Sequence, residues 1–412
     1  MSKKIKPELT ESQKKTRLII KIAAAVVALI VAVLAISNGV YQLIHKSPGF
    51  YKVDTKLIEE TLIYSKGIEL NYWFEGKSSE IRNALLEIKN DYSDALSRIY
   101  MLLDAENTYN NLTNLAYVNQ HIGEEIELPE ELFDIIVSAY ELTKQGVFNL
   151  FGGALYKEWE IITISEDQAE YDPLINPDEK ERIEVIAAKC ADLENFSLEV
   201  VDPGRHIIKV TFSDAYLRHM RGYEIRDCVL NLGFLKEAYE IEYTAKKLEE
   251  AGWHKGYFTT DSGMSFALSG MDEGAFFIYS LVDGAPRQAC RIPMKANAAY
   301  CSYRSFGFDG ELQYYMIGES FRHPHYCLYN GEVLDKALSA TAVSFNGELV
   351  NACVKAYSII TSDDPASALS YPDSSMLLCF VAKSAPKTVA VNKEQADKLY
   401  FVDGEEFTQQ PY

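Results

Sequence analysis

The 412-residue chain is 48% hydrophobic and 12% aromatic, enough to bury a sizeable core, which excludes a disordered chain. Its 60 acidic residues against 40 basic ones leave a formal charge of −20, an excess that repels phosphate backbones and disfavours a nucleic-acid role. Seven scattered cysteines without a CxxC pair match neither a disulfide framework nor a zinc ribbon; they read as buried small hydrophobes, in keeping with a reducing or anaerobic habitat.

In chain order, residues 1–16 read as a basic cytoplasmic tail and residues 17–44 as a membrane anchor, built on the unbroken apolar run Ile22 to Ile36 and its extension to Ile44. Seven basic residues against two acidic ones precede the run, a net +5, so the N-terminus is expected in the cytoplasm and the rest outside, in a single-pass cell-membrane protein. A cleaved signal peptide is the alternative. The remainder of the chain then carries about −25.

Residues 45–65 read as a juxtamembrane linker and 66–405 as the domain proper. A strand, IELNYWF, precedes Gly76, and from Ser78 apolar residues recur at helical spacing through Leu102. DAENTYNNLTNLAYVNQ reads as a polar loop. Pro129 opens a helix that Gly146 ends. Residues 160–195 read as an acidic insertion with a helix started by Asn176-Pro177, followed by a hairpin around Asp202-Pro203-Gly204. Leu230 opens a short strand, a turn at Gly233, an amphipathic helix and a strand ending in the loop Thr259–Gly263. Beyond Gly270 the strands AFFIYSLV, YCSYRSF and ELQYYMIG precede a helix, ELVNACVKAYSII, and two late strands, SMLLCFVA and LYFVDG. The fold class is α+β, strands and helices mixed through one large domain.

Two segments carry a family resemblance: LTKQGVFNLFGGALYKEW (142–159) and LNLGFLKEAYEIEYTAKKLEEAGWHKGYFTTDSGMSFALSG (230–270). Their spacing and apolar frame resemble the GaFDptvgpL…W, DLGaiaKGyavD and NaGGD segments of the FAD:protein FMN transferases, the ApbE-like proteins. Gly146, Phe148, Leu155, Trp159, Leu232, Gly233 and Tyr239 persist. Asn149 and Asn231 stand where the family has Asp, Glu237 where it has Lys, Ala238 where it has Gly, and Glu242 where it has Asp.

The resemblance implies a magnesium-dependent reaction in which FMN from FAD is linked through phosphate to a Thr or Ser of a partner flavoprotein, with release of AMP. The partner it implies is an FMN-acceptor domain of a membrane redox complex. The family's magnesium-binding DalsT segment matches Asn351-Ala-Cys-Val-Lys355. An amide is a weaker ligand than a carboxylate, which leaves Asn351 as the metal position and Lys355 as an ammonium able to neutralise phosphate, or simply a solvated lysine. Thr260, Asp261, Ser262 and Gly263 form the candidate pyrophosphate loop, with Gly263 permitting close backbone approach and Asp261 opposing it; the alternative is a plain strand-end turn. Asn231 and Glu237 are cofactor-side candidates by position, and Tyr315, in the counterpart of the family's HiiDP segment, could stack on a flavin or adenine ring. Outside the family pattern, His323, His325 and Cys327 would share one face of an extended segment, as in a soft-metal site, although Pro324 disfavours a regular strand.

Two functions stay open at this point. One is an active, outward-facing FMN transferase, with Lys355 and Asp261 as its catalytic candidates. The other is a non-catalytic relative that binds flavin or a partner protein, because the charge-changing replacements remove groups that would stabilise developing phosphate charge.

Overall fold

The computed structural model describes residues 46–55, 67–222, 229–307, 315–318, 320–322, 325–334, 336–369, 375–401 and 407–412, with short stretches at 27–28 and 31–33. In chain order the strands and helices are β1 (Gly49–Val53), β2 (Ile68–Phe74), α1 (Ser78–Leu103), α2 (Leu115–Gln120), β3 (Glu125–Glu127), α3 (Glu130–Lys144), α4 (Gly153–Ile164), α5 (Gln168–Tyr171), α6 (Pro177–Ala191), β4 (Phe196–Asp202), β5 (Ile207–Phe212), α7 (Asp214–Gly222) and α8 (Lys236–Glu250). They continue with β6 (Gly256–Thr260), β7 (Met264–Ala267), β8 (Ala275–Val282), β9 (Ala285–Pro293), β10 (Ala299–Arg304), β11 (Tyr315–Ile317), β12 (Ser320–Arg322), β13 (Ala337–Ser344), α9 (Leu349–Ile360), α10 (Pro365–Leu369), β14 (Met376–Ala382), β15 (Thr388–Val391), β16 (Tyr400–Phe401) and β17 (Thr408–Pro411).

The chain divides into two units, Met1–Gly49 with Trp73–Leu86, and Phe50–Tyr72 with Glu87–Tyr412. In the first, the Ser78 hydroxyl accepts the Lys46 amide at 2.8 Å, and Glu80 accepts the Lys77 amide at 2.8 Å at the start of α1. The second satisfies a donor at a helix entry, where amides have no partner within the helix. The second unit carries the core and every site described below.

A nine-stranded sheet runs in the order β1-β2-β6-β7-β10-β13-β14-β15-β17, with three smaller sheets beside it. Its centre is buried on both faces: every residue of β10 and β13, and all but the last of β14, is buried. Such strands read as continuous apolar and small-residue runs rather than alternating ones. Residues of β8 and β9 join β10, β13, β14 and β15 in one cluster of buried side chains, and α9 adds nine buried residues of its own. Each large side chain so buried contributes about 2 kcal/mol. The architecture is mixed α+β, as expected.

Several sequence expectations are met and some are corrected. Asn176 caps α6 through the Asp178 amide at 3.1 Å, with Pro177 in the first turn. The hairpin around Pro203 is β4–β5, antiparallel from Phe196↔Phe212. Gly49–Val53, inside the stretch read as a linker, forms β1, and β17, beyond residue 405, pairs parallel with β15. The stretch read as a polar loop contains α2: the Asn114 side chain accepts the Tyr117 amide at 3.0 Å, and its amide group donates to three backbone carbonyls. The strand expected at Leu230 is absent. Residues 229–232 are irregular, and Gly233–Leu235 form a 3-10 turn leading into α8.

Among the described residues no helix is long and apolar enough to cross a membrane. The expected anchor, residues 17–44, lies outside them apart from the helical residues 27–28 and 31–33. All six described cysteines are free, and five are buried, as read from their scatter. Cys228 and His323 lie outside the described residues.

Candidate functional site

The two segments singled out in the sequence meet at the start of α8. The Asn231 amide donates to the Leu150 carbonyl at 2.9 Å, and its side-chain oxygen accepts the Gly233 amide at 2.8 Å, a local turn that an Asp could also make. Gly233 has φ +47°, and a Cβ there would meet the Tyr156 ring at 2.0 Å. No other residue fits that space. Asn149, on the first segment, is buried: its oxygen accepts the Phe151 amide at 3.0 Å and its nitrogen donates to the Cys190 carbonyl at 2.9 Å. The donating nitrogen distinguishes it from the Asp of the resembled motif.

Glu237 opens α8 and meets the β6–β7 turn. The Ser262 hydroxyl donates to Glu237 Oε2, and Thr260 Oγ1 and Ser262 Oγ are 2.7 Å apart. Thr260 Oγ1 also accepts the Met264 amide at 3.0 Å, and the Asp261 amide donates to the Gly67 carbonyl at 3.1 Å. A Cβ on Gly67 would lie 3.7 Å from both Asp261 Oδ2 and Glu237 Oε1, so the two acids close on the same spot. Burial raises the Glu237 pKa and the Asp261 charge raises it further, against the Ser262 hydrogen bond, Lys236 and Thr260, which lower it. Gly263 takes φ +92°, completing the turn.

One helical turn on, Glu240 is 3% exposed, and its Oε1 has no hydrogen-bond partner. Lys236 Nζ lies 3.9 Å from that oxygen and 4.3 Å from the centre of the Tyr100 ring. Burial pushes the Glu240 carboxyl up to about 7, with Lys236 opposing the shift and Glu237 and Asp104 adding to it. Sequence reasoning missed Glu240. Its spacing of three from Glu237 on an amphipathic helix was the available signal.

A second group forms where α9 begins. Glu242 Oε1 accepts the Val350 amide at 2.9 Å, and Glu242 lines a cavity of about 240 Å³ together with Ser138, Tyr239, Glu348 and Asn351. Asn351 is exposed, and Lys355, one turn later, is half-buried. A neighbouring cavity of about 420 Å³ shares Ser138, Tyr239 and Glu242 and adds Glu130, Glu131 and Asp134. Thus Glu237, Thr260, Asp261 and Ser262 come together, while Asn351 belongs with Glu242.

Tyr315 sits elsewhere, in the β11–β12 hairpin, with its hydroxyl 3.3 Å from Asp172 Oδ2. His325 lies edge-on to Tyr303 at 4.4 Å and near Tyr357, which stacks on Phe234 at 3.9 Å. An aromatic cluster therefore fills the space between α9 and the start of α8.

Magnesium prefers several hard oxygen ligands, with carboxylates foremost. Here Asn351 offers a neutral amide and Lys355 a positive charge, and Glu242 is engaged with a backbone amide. Among the described residues no group of three or more His, Cys, Asp or Glu side chains could hold a metal ion. The residues at this position do not fit the ion.

No family model matches the chain, and no curated protein matches it in sequence. Solved structures do match. The ApbE protein of Thermotoga maritima superposes with a TM-score of 0.56 at 14% identity, over 82% of this chain and 96% of that one. The apo form of Pseudomonas stutzeri flavinyl transferase ApbE gives 0.55 at 10% identity, over 87% and 98%. At such identities the likeness speaks for architecture alone, and in architecture this chain has the fold of the ApbE flavin transferases.

Proposed function

We propose that this chain is a membrane-anchored, outward-facing binding protein that keeps the flavin-transferase fold without transferring FMN. The observation that carries the reading is the closure of the β6–β7 turn onto Glu237. A loop that cradles pyrophosphate offers free amides and positive charge. This one holds Asp261 and a Ser262 already bonded to a carboxylate. A phosphate brought within about 4 Å of one ionised carboxylate pays about 4 kcal/mol at an effective dielectric of 20, roughly a thousandfold in affinity. The poor fit of magnesium at Asn351 points the same way.

The charge asymmetry around residues 17–44 supports the anchor and the outward orientation. The partner that the fold suggests is a flavoprotein acceptor domain of a membrane redox complex, bound without being modified. A transferase reading keeps one supporting feature, the cavity shared by Glu242 and Asn351.

Titration of the full-length protein in detergent with FAD, followed by flavin fluorescence, tests the proposal. The expected result is no saturable binding up to millimolar FAD, with or without magnesium, while immobilised acceptor domain retains the protein. Micromolar FAD binding would overturn it.

A further inference from the structure

The edge of a β-sheet displays backbone donors and acceptors that can pair with another chain, so folded proteins blunt their edges with short strands, charges, proline or covering groups. Edges among the described residues are mostly blunted in these ways. In the nine-stranded sheet, β1 carries Lys52, paired with Glu69, and β17 is a four-residue strand ending at Pro411. β8, at the edge of its own sheet, has its Phe277 carbonyl bonded by the Tyr300 hydroxyl at 2.7 Å and its Tyr279 carbonyl by the Ser339 hydroxyl at 3.2 Å. β3, β11, β12 and β16 are three residues long or shorter.

β4 is longer and open. It lies at the edge opposite β3, runs for seven residues and, among the described residues, pairs with β5 alone. Phe196 anchors its start, stacked on Phe151 at 4.3 Å and edge-on to Tyr216 at 4.6 Å. The ladder with β5 is regular from Phe196 to Val200 and slips only beyond it. There the alternation of buried and exposed positions gives way, and two adjacent apolar side chains stand in water, Val200 at 39% exposure and Val201 at 37%. Residues 190–202 hold four acids, Asp192, Glu194, Glu199 and Asp202, and no base. Across the ladder, Lys209 sets one positive charge opposite both Glu199 and Glu125. An acidic edge turns away a second copy of this chain, whose edge is equally acidic, and favours a basic strand.

We propose that β4 is a docking edge for an extended, basic segment of a partner protein, which joins the sheet as a fourth strand beside β4. Main-chain hydrogen bonds supply the affinity; lysine or arginine side chains at alternate positions meet Glu199 and its acidic neighbours, and apolar ones cover Val200 and Val201. β5 and the Phe196 contacts already hold β4 in place, so docking orders the incoming segment alone. The edge is on a different sheet from the β6–β7 turn, and docking there does not depend on whether the chain handles flavin.

Fluorescence anisotropy of a labelled peptide alternating lysine and valine over seven residues, the length of β4, titrated with the full-length protein in detergent, tests this. Saturable binding is expected, with slowed hydrogen exchange of amides within Phe196–Asp202 at saturation. Methylating the peptide nitrogens keeps the charge but removes the strand donors, and affinity is expected to fall about tenfold or more. Glu199→Lys and Val201→Lys, both at exposed positions, should each weaken binding by about tenfold. Absence of saturable binding overturns the proposal, and so does equal affinity for the methylated peptide or for a glutamate–valine counterpart. Exchange slowed only outside β4 overturns it too, even if either variant fails to fold.

Discussion

The central strands β10, β13 and β14 and the cleft end of α8 belong to one fold but answer to different constraints. In the strands nearly every position is buried, and apolar or small residues fill most of them, with Arg304 at the end of β10 the charged exception. At the start of α8 and, separately, at the start of α9, the landmarks of the flavin-transferase pattern that carry charge differ: Glu237 stands where the pattern has Lys, and Asn351 where it has Asp. Burial locks shape because a lost methylene or an added one is felt throughout a close-packed core. Charge at a binding site is constrained by its ligand rather than by packing, so the proposed loss of transfer would release it while leaving the core as it is.

The comparison breaks most sharply at Gly233. Gly233→Ala forces a Cβ into the Tyr156 ring at a positive φ and is expected to cost more than about 3 kcal/mol, seen as loss of soluble protein or a large drop in denaturation midpoint. Next comes Asn149→Asp, which puts an acid against the Cys190 carbonyl in a buried position. A cost of about 2–3 kcal/mol is expected in urea unfolding.

Glu240→Gln probes the cleft. The folded wild-type carboxyl, held near 7, keeps its proton where the unfolded chain has lost it, so wild-type stability falls as pH rises from the ordinary carboxylate pKa to about 7. Glu240→Gln removes that loss: about 2 kcal/mol of gain over wild type is expected at pH 8 and little difference at pH 4, by thermal unfolding at both values. The smallest effect belongs to Asn231→Asp, because either side chain can accept the Gly233 amide. A change within about 0.5 kcal/mol is expected in the same assay, and a cost near that of Asn149→Asp would erase the distinction between the two asparagines.

Much of the architecture was legible before any coordinates. The α6 cap at Asn176, the β4–β5 hairpin and the helix at Leu349–Ile360 follow from local chemistry, and local chemistry is written in neighbouring letters. Short elements fixed by distant contacts were not legible. β1 exists because β2 offers it an edge, and α2 because Asn114 ties the loop to carbonyls up to 13 residues back. At the site, spacing located Glu237 and the Thr260–Gly263 loop but not their mutual hydrogen bonding, and Tyr315 turned out to face Asp172. No periodicity encodes which carboxylate of α8 reaches across to the Val350 amide.

The claim that shape has outlived reaction is tested most directly by incubating the full-length protein in detergent with FAD, magnesium and an FMN-acceptor domain, then reading flavin fluorescence of the denatured acceptor in a gel. A flavin transferase of proven activity serves as the control. We expect a bright band for the control and none for this chain. A fluorescent acceptor band of comparable rate would contradict the account and would make Lys355 and Asp261 the first residues to replace.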